Sequence, residues 1–162
     1  AAGEPQVKEK LLTGYEANGK NYKVHLDGYN FLPHMTGQED KGPRKEFFYF
    51  SDGGDLMALR YNNWKVHFMV QDQAGTLEIW QRGFRGLRMP YIFNLRTDPF
   101  EQATITSNTY WDWSIDHAYL MYPLGNVVGE FLATFKEYPP RMKAGSWDMS
   151  KALEKLQTPH NK

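Results

Sequence analysis

The centre of the chain alternates apolar and polar side chains with the period of a β-strand. One face of residues 64–70 is mostly apolar and carries Trp64, Val66, Phe68 and Val70. The opposite face carries Lys65, His67 and Met69. Residues 56–61 precede this run, and the pair Asn62-Asn63 between them tolerates the positive φ of a two-residue turn. The pattern predicts a β-hairpin with one buried and one partly solvated face.

Other segments have the composition of short strands or turns. Residues 46–50, EFFYF, are rich in strand formers, and SDGGD at 51–55 is a turn signal. Residues 76–81 and 90–95 are predicted as further short strands, with Pro90 at the start of its strand or on a sheet edge. Asp98 and Pro99 fit the first two positions of a type I turn, in which the aspartate bonds the backbone ahead of it.

The period becomes helical after about residue 108. The apolar residues that form one helical stripe are Leu120, Leu124, Val127, Val128, Phe131 and Phe135. Pro123 should start or kink this helix, and Pro139-Pro140 should end it. A second short helix is predicted over residues 146–157, capped by Ser146 or Asp148. Strands followed by helices predict an α+β fold, with an antiparallel β-sheet of about four strands packed against C-terminal helices.

The N-terminal part is less regular. Residues 1–23 are polar and contain several lysines and glycines, which predicts a loose lead-in or a linker. Residues 25–37 predict one or two helical turns, capped by Asp27 and ended by Gly37. The residues expected to face inward from these turns are Phe31, Leu32 and Met35.

The composition of the chain excludes several classes of function. The 162 residues fit one domain, and 41% hydrophobic with 15% aromatic content is enough for a core. Lys+Arg and Asp+Glu are equal at 19 each, so no basic excess indicates nucleic acid. Without cysteine the chain has no disulfide, thiolate metal site or thiol nucleophile. Residues 1–14 lack the apolar core of a signal peptide, and residues 119–135 are too short and polar to span a bilayer.

Candidate chemistry is sparse. None of the five histidines has a metal-ligand spacing with another, and no phosphate loop or nucleophile elbow is present. Asp52 and Asp55 flank two glycines, but no calcium-loop spacing follows, which favours a solvated turn. The aromatic cluster around Tyr110, Trp111 and Trp113 either lines an apolar pocket or packs in the core, and core packing is favoured. The chemistry in this chain does not by itself amount to an enzyme.

Several segments resemble the latter part of sulfatases. KVHLDGYNFLPHMTG (23–37) resembles the family's DG-x-x-LLP-x-LTG segment, and FFYFSDGGDLMALRYNNWKVHF (47–68) is similar to the strands that follow it. YIFNLRTDPFEQATI (91–105) resembles the L-x-x-DP-x-E element. EFLATFKEYPPR (130–141) is similar to the ending of bacterial arylsulfatases. The resemblance covers residues 11–157 and suggests the C-terminal portion of an arylsulfatase.

The resemblance implies that catalysis takes place in another domain of the parent protein. It implies an upstream catalytic domain of the same parent protein, a formylglycine made from a C/S-x-P-x-R motif, and calcium held in that domain. No such motif occurs here, so no catalytic, cofactor-binding or metal residue is assigned to this chain. The implied domains are a linker at 1–23, a sulfatase C-terminal α+β domain at 24–157 and a tail at 158–162. Members of the family are often periplasmic or secreted in bacteria.

The expected role is to pack on the catalytic domain and help shape the substrate cleft, with sulfuric ester hydrolysis belonging to the parent. The residues expected near the cleft or the interface are His25, Tyr49, His67, Trp111 and Trp113. The partners expected are the catalytic domain and a second copy bound through an uncovered face, with no nucleic acid and no membrane. The alternatives are a stand-alone aromatic-rich binding module and a hydrolase with an unrecognised site. An exposed apolar patch favours the first hypothesis, a deep pocket the second, and converging perturbed titratable groups the third.

Overall fold

A computed structural model describes residues 3–73 and 75–140 of the chain. The helices are α1 Val7–Thr13, α2 Leu32–Met35, α3 Ala103–Thr106, α4 Tyr110–Asp116 and α5 Met121–Glu137. The strands are β1 Tyr15–Ala17, β2 Lys20–Tyr22, β3 Glu46–Phe50, β4 Leu56–Tyr61, β5 Trp64–Val70 and β6 Arg85–Asn94. Short 3-10 turns occupy Leu77–Trp80 and Ala118–Leu120. These elements confirm the predicted α+β class.

Strands β3 to β6 form one antiparallel sheet in the order β3-β4-β5-β6, and β1 pairs with β2 in a separate hairpin. The predicted β4–β5 hairpin is confirmed, with Asn62 at φ +53 in its turn. Positive φ is costly for most L-residues but tolerated by asparagine, which explains the tight connection. Because the turn sets the register, it also determines which side chains of β4 and β5 share a face.

The core lies on one face of this sheet, beneath α5. Phe48, Leu59, Val66 and Ile92 stand opposite one another across the four strands. Leu59, Val66 and Ile92 are fully buried, and Leu124 of α5 packs on this row. The ring of Phe48 stacks on Phe131 of α5 with centroids 3.9 Å apart. The helical stripe predicted from the sequence is therefore the surface that covers the sheet.

The other face of the sheet is turned away from α5, and we call it the far face. Its first cross-strand row is Phe47, Arg60, Lys65 and Phe93. Its second row is Tyr49, Ala58, His67 and Tyr91. No helix as long as α5 covers this face among the described residues, and the segment after β6 crosses part of it. The far face therefore brings polar and aromatic side chains together beside solvent.

Two strand predictions need correction. Residues 76–81 do not form a strand, because Thr76 Oγ1 accepts a hydrogen bond from the Glu78 N–H at 3.2 Å and starts a 3-10 turn. Leu77 and Trp80 are 86% and 82% exposed, so no sheet covers their apolar side chains. Strand β6 starts five residues before Pro90, which is tolerated because β6 lies at the edge of the sheet. The β5–β6 ladder also shifts register between His67 and Met69, opposite the stretch that contains this proline.

The N-terminal predictions are also revised. Residues 1–23 include α1 and the β1–β2 hairpin rather than a loose lead-in only. In residues 25–37 the helix is only one turn, Leu32–Met35, and Asp27 does not cap it, because the Asn30 side chain accepts from the Leu32 N–H instead. Met35 is 78% exposed and does not face inward. Gly37 does follow the end of the turn, at φ +73.

The C-terminal helix begins and ends near the predicted prolines. Pro123 lies in the first turn of α5, and the helix ends two residues before Pro139. Among helices in the described ranges, none has the combination of length and apolarity that a bilayer crossing needs. The helix predicted at 146–157 and the tail at 158–162 lie outside the described residues.

Candidate functional site

A carboxylate binds two basic side chains at the middle of the far face. Strand β5 presents Lys65 and His67 on the same face because they are two residues apart. Glu101 approaches from the segment after β6, and its Oε1 lies 2.6 Å from Lys65 Nζ while Oε2 lies 2.5 Å from His67 Nε2. The three side chains are only 14–23% exposed. We call this group the Lys–Glu–His cluster.

The turn that carries Glu101 is set by Asp98. The Asp98 carboxylate accepts hydrogen bonds from the N–H groups of Gln102 at 2.9 Å and Ala103 at 2.8 Å. The Glu101 N–H donates to the carbonyl of Asp98 at 3.3 Å, as expected of the predicted turn. Glu101 itself lies at φ +57, a strained conformation for a non-glycine residue. The turn therefore holds the carboxylate over β5 at a conformational cost.

Burial and the Glu101 carboxylate shift the pKa of His67 in opposite directions. Burial lowers the pKa of His67 because an imidazolium loses hydration, and this effect exceeds the opposite effect of the Glu101 carboxylate on that pKa. The nearby Lys65 ammonium also lowers the pKa of His67. The neutral ring can donate from Nε2 to Glu101, which leaves Nδ1 as an acceptor. The cluster can thus offer both a hydrogen-bond acceptor and a cation to a ligand.

An open cleft surrounds the Lys–Glu–His cluster. It has a volume of about 670 Å³, and its walls include Tyr49, Met57, Phe84 and Ile105. The Lys65 ammonium lies 4.5 Å from the centre of the Tyr49 ring, a cation–π contact that fixes the side chain. This far-face cleft combines apolar walls with a few polar groups, as ligand sites usually do.

A bidentate ion pair stands at one end of the far-face cleft. Arg85 donates from Nε and Nη2 to the two carboxylate oxygens of Asp72, at 2.7 and 2.9 Å. Both side chains are about half exposed, so solvent screens the pair and its contribution to stability is small. The pair links the β5–β6 connection to the start of β6 and so closes that end of the cleft.

The structure brings together only part of the residues proposed from the sequence. Tyr49 and His67 line the far-face cleft, and Trp111 packs against its Tyr91 wall with ring centroids 5.7 Å apart. Trp113 lies elsewhere, stacked on Trp64 at 6.2 Å and on His117 at 4.3 Å. His25 is also distant from the cleft and contacts Asp27 at 3.0 Å and the Tyr138 ring.

Glu101 and Lys65 were not singled out as site residues. Lys65 carried a signal, because alternation places it on the same face as His67. Glu101 stands in the L-x-x-DP-x-E element, but nothing local shows that it reaches a strand 34 residues earlier. Within residues 3–73 and 75–140, no three His, Asp or Glu side chains are grouped closely enough to hold a metal ion.

A family model identifies the family to which this chain belongs. A family model described as the C-terminal region of aryl-sulfatase matches residues 42–159. Among solved structures, the PsFucS1 sulfatase from Pseudoalteromonas sp. is 27% identical, with a TM-score of 0.44 over 61% of this chain and 19% of that chain. This chain thus spans about a fifth of the length of that sulfatase. A search of curated proteins found no match. The family model covers most of the chain, including the four-stranded sheet and the segment that carries Glu101. The chain therefore belongs to the family of aryl-sulfatase C-terminal regions.

Proposed function

We propose that this chain packs on the catalytic domain of a parent aryl-sulfatase and that its far face forms one wall of the substrate cleft. Residues 24–157 are the C-terminal domain in this proposal, residues 1–23 connect it to the catalytic domain, and 158–162 form a tail. Sulfuric ester hydrolysis, the formylglycine nucleophile and calcium belong to the catalytic domain. This chain contributes surface, hydrogen-bonding groups and charge.

The observation that carries the proposal is the Lys–Glu–His cluster in the far-face cleft. Its side chains are mostly buried, and buried charges are costly to dehydrate and give little net stability compared with apolar packing. Glu101 is held over them at positive φ, which adds a further cost. A cluster that does not serve stability is well explained by recognition of a polar ligand.

Exposed apolar side chains near the far face support docking on another domain. Phe100 and Ile105, in the segment that crosses this face, are each 80% exposed. Leu77 and Trp80, in the β5–β6 connection, are 86% and 82% exposed. Apolar side chains on the loops beside a cleft mark interaction surfaces. The cleft is also open rather than deep, which favours a wall shared with a second domain over a stand-alone binding module.

The test is steady-state kinetics of the full-length parent protein with several aryl sulfates. His67→Ala removes a ligand-facing imidazole and Trp111→Ala removes the support of the Tyr91 wall. Each is expected to lower kcat/KM by about fivefold or more, consistent with the loss of one polar contact or one packed ring. Tyr122→Ala is the control, because Tyr122 lies on α5 and is 80% exposed.

The outcomes separate the hypotheses. Unchanged kcat/KM in both variants, with unchanged melting temperatures, would contradict a role for the far face in the cleft. Sedimentation of the isolated 162-residue chain addresses docking separately. Self-association that Trp80→Ser and Leu77→Ser abolish would show that the apolar loops bind a protein surface, with a second copy replacing the catalytic domain.

A further inference from the structure

A second concave surface on the chain collects basic side chains. It lies beside strand β3 at the edge of the sheet, has a volume of about 860 Å³, and is lined by Arg44, Lys45, Glu46, Phe47, Tyr49 and Arg60. We call it the basic groove. Three basic residues face one carboxylate there, whereas the whole chain has equal numbers of basic and acidic residues. Local positive potential in a concave surface attracts anions.

The basic residues of the groove are not neutralised by the protein. Among the described residues, neither arginine nor Lys45 forms an ion pair. The single carboxylate, Glu46, accepts a hydrogen bond from the Tyr29 hydroxyl and so has a partner other than these cations. The positive charge of the groove is therefore available to a ligand.

Both guanidinium groups are held in place while most of their donors stay free. Arg44 donates from Nη2 to the carbonyl of Asp27 at 2.9 Å, and its Cζ lies 4.9 Å from the Tyr29 ring centre. Arg60 donates from Nε to the carbonyl of Asn62 at 3.1 Å. A guanidinium has five N–H donors in a planar fork that matches an oxyanion. Side chains already oriented lose less conformational entropy when an anion binds.

The sheet register places Arg60 opposite a lysine that already has an acidic partner. Arg60 on β4 stands directly opposite Lys65 on β5, and like charges in such pairs destabilise a sheet. Glu101 neutralises Lys65 at 2.6 Å, whereas no carboxylate within residues 3–73 and 75–140 forms an ion pair with Arg60. Of the two cations in this cross-strand pair, Arg60 is therefore the one whose charge an anion can neutralise, which makes Arg60 the centre of the groove.

An aromatic surface stands beside Arg60. Phe47 is its cross-strand neighbour on β3 and is 47% exposed. The Phe47 ring packs edge-on against Tyr49 with centroids 4.8 Å apart, which fixes its orientation. A ring carried by a ligand can therefore stack on Phe47 while an attached oxyanion reaches Arg60, Arg44 and Lys45.

We propose that the basic groove is a binding site for a ring-bearing ester of a strong oxyacid, with the oxyanion at Arg60, Arg44 and Lys45 and the ring on Phe47. Sulfate and phosphate esters share this chemistry, and the experiment distinguishes them. The proposal does not depend on the far-face cleft, because the groove uses different charged residues and its test involves no turnover.

The test is titration of the full 162-residue chain with phenyl sulfate, phenyl phosphate and methyl sulfate at low ionic strength. Calorimetry gives the Kd, and NMR of the arginine Nε–Hε signals locates the binding. Saturable binding of phenyl sulfate or of phenyl phosphate is expected, with shifts at Arg60 and Arg44, and the tighter of the two identifies the acid. Methyl sulfate, which has no ring, should bind about fivefold more weakly. Absence of saturable binding by both phenyl esters would overturn the proposal.

Variants separate a built site from general attraction. Arg60→Gln is expected to weaken binding at least about tenfold, since it removes charge-assisted hydrogen bonds, and Arg60→Lys should give an intermediate loss. Arg96→Gln is the matched control, because Arg96 is an exposed arginine outside the groove, and it should change the Kd by less than about twofold. Phe47→Leu should remove the preference for phenyl over methyl sulfate.

Two results with the same variants would contradict the proposed site. Equal losses in the Arg60→Gln and Arg96→Gln variants would show general electrostatic attraction and overturn the proposal. Binding that persists unchanged in both Arg60→Gln and Lys45→Gln would overturn it as well. Arg60 and Lys45 are exposed, so melting temperatures close to that of the unmodified chain are expected and confirm that the variants are folded.

Discussion

The hydroxyl of Tyr110 protects the outer edge of the sheet, and its removal is the sharpest test of the packing. The Ile92 N–H donates to Tyr110 Oη at 3.0 Å, and Tyr110 Oη donates to the Ile92 carbonyl at 3.1 Å. These two backbone groups are the ones that a further strand would pair with, because β6 is the last strand of the sheet. Tyr110 is 2% exposed and Ile92 fully buried, so water does not replace the hydroxyl easily.

Tyr110→Phe keeps the ring and removes only these two hydrogen bonds. A buried backbone group left without a partner costs about 1–3 kcal/mol, so two such groups should lower the free energy of unfolding by about 2–6 kcal/mol. At about 2–4 °C per kcal/mol for a chain of this length, the melting temperature should fall by roughly 4–24 °C.

The assay is urea denaturation of the 162-residue chain followed by circular dichroism and tryptophan fluorescence. Hydrogen exchange of the Ile92 amide should also accelerate, because that N–H loses its acceptor. Tyr122→Phe is the control, since Tyr122 is 80% exposed, and its effect should stay within about 0.5 kcal/mol. A loss of less than 0.5 kcal/mol in Tyr110→Phe, at an unchanged m-value, would refute the idea that this hydroxyl secures the edge; the threshold is the usual effect of a surface change.

Three further predictions concern the core, the histidine and the turn. Leu59→Ala should lower the free energy of unfolding by about 2–5 kcal/mol, because Leu59 is fully buried, whereas Leu132→Ala, at a site 43% exposed, should cost much less in the same urea titration. Because the fold lowers the pKa of His67, the unfolded chain binds more protons at mildly acidic pH. The contribution of His67 to stability should be complete above about pH 6.5 and be lost as the pH falls through its folded pKa, and His67→Gln should remove this part of the pH dependence. Asp98→Ala should cost about 1–3 kcal/mol, since two backbone N–H groups lose their acceptor, and a thermal melt no different from that of Asp52→Ala would contradict this.

Prediction from sequence succeeded where the deciding forces are local. The β4–β5 hairpin follows from the alternation in residues 64–70 and from the turn residues Asn62-Asn63, and α5 follows from its apolar stripe and from the prolines near its two ends. Prediction failed at residues 76–81, where the composition suited a strand but a capping Thr76 side chain formed a 3-10 turn. It failed again at Asp27, because Asn30 stands closer to the first helical N–H.

Only part of the candidate site could be predicted from the sequence. Tyr49 and His67 could be placed on one face of the sheet from the strand pattern, and both line the far-face cleft. Trp111 and Trp113 both contact Tyr110, but only Trp111 reaches the Tyr91 wall of the cleft, and Trp113 packs on Trp64 and His117. His25 was grouped with them by residue type alone, and it packs beside Tyr138 away from the cleft.

The sequence by itself determined the class of fold, the hairpin, the covering helix and the family of the chain. These depend on side-chain period, turn residues and the order of motifs, all of which are properties of neighbouring residues. The tertiary structure alone decided that Glu101 meets Lys65 and His67, and that Arg60 has no ion-pair partner in the part of the chain that the structure describes. Both outcomes depend on strand register and on how a distant segment crosses the sheet. Electrostatic interactions and burial depend on distances in the folded structure and not on distances along the sequence. Charged residues that are far apart in the sequence therefore form one site only when the chain has folded.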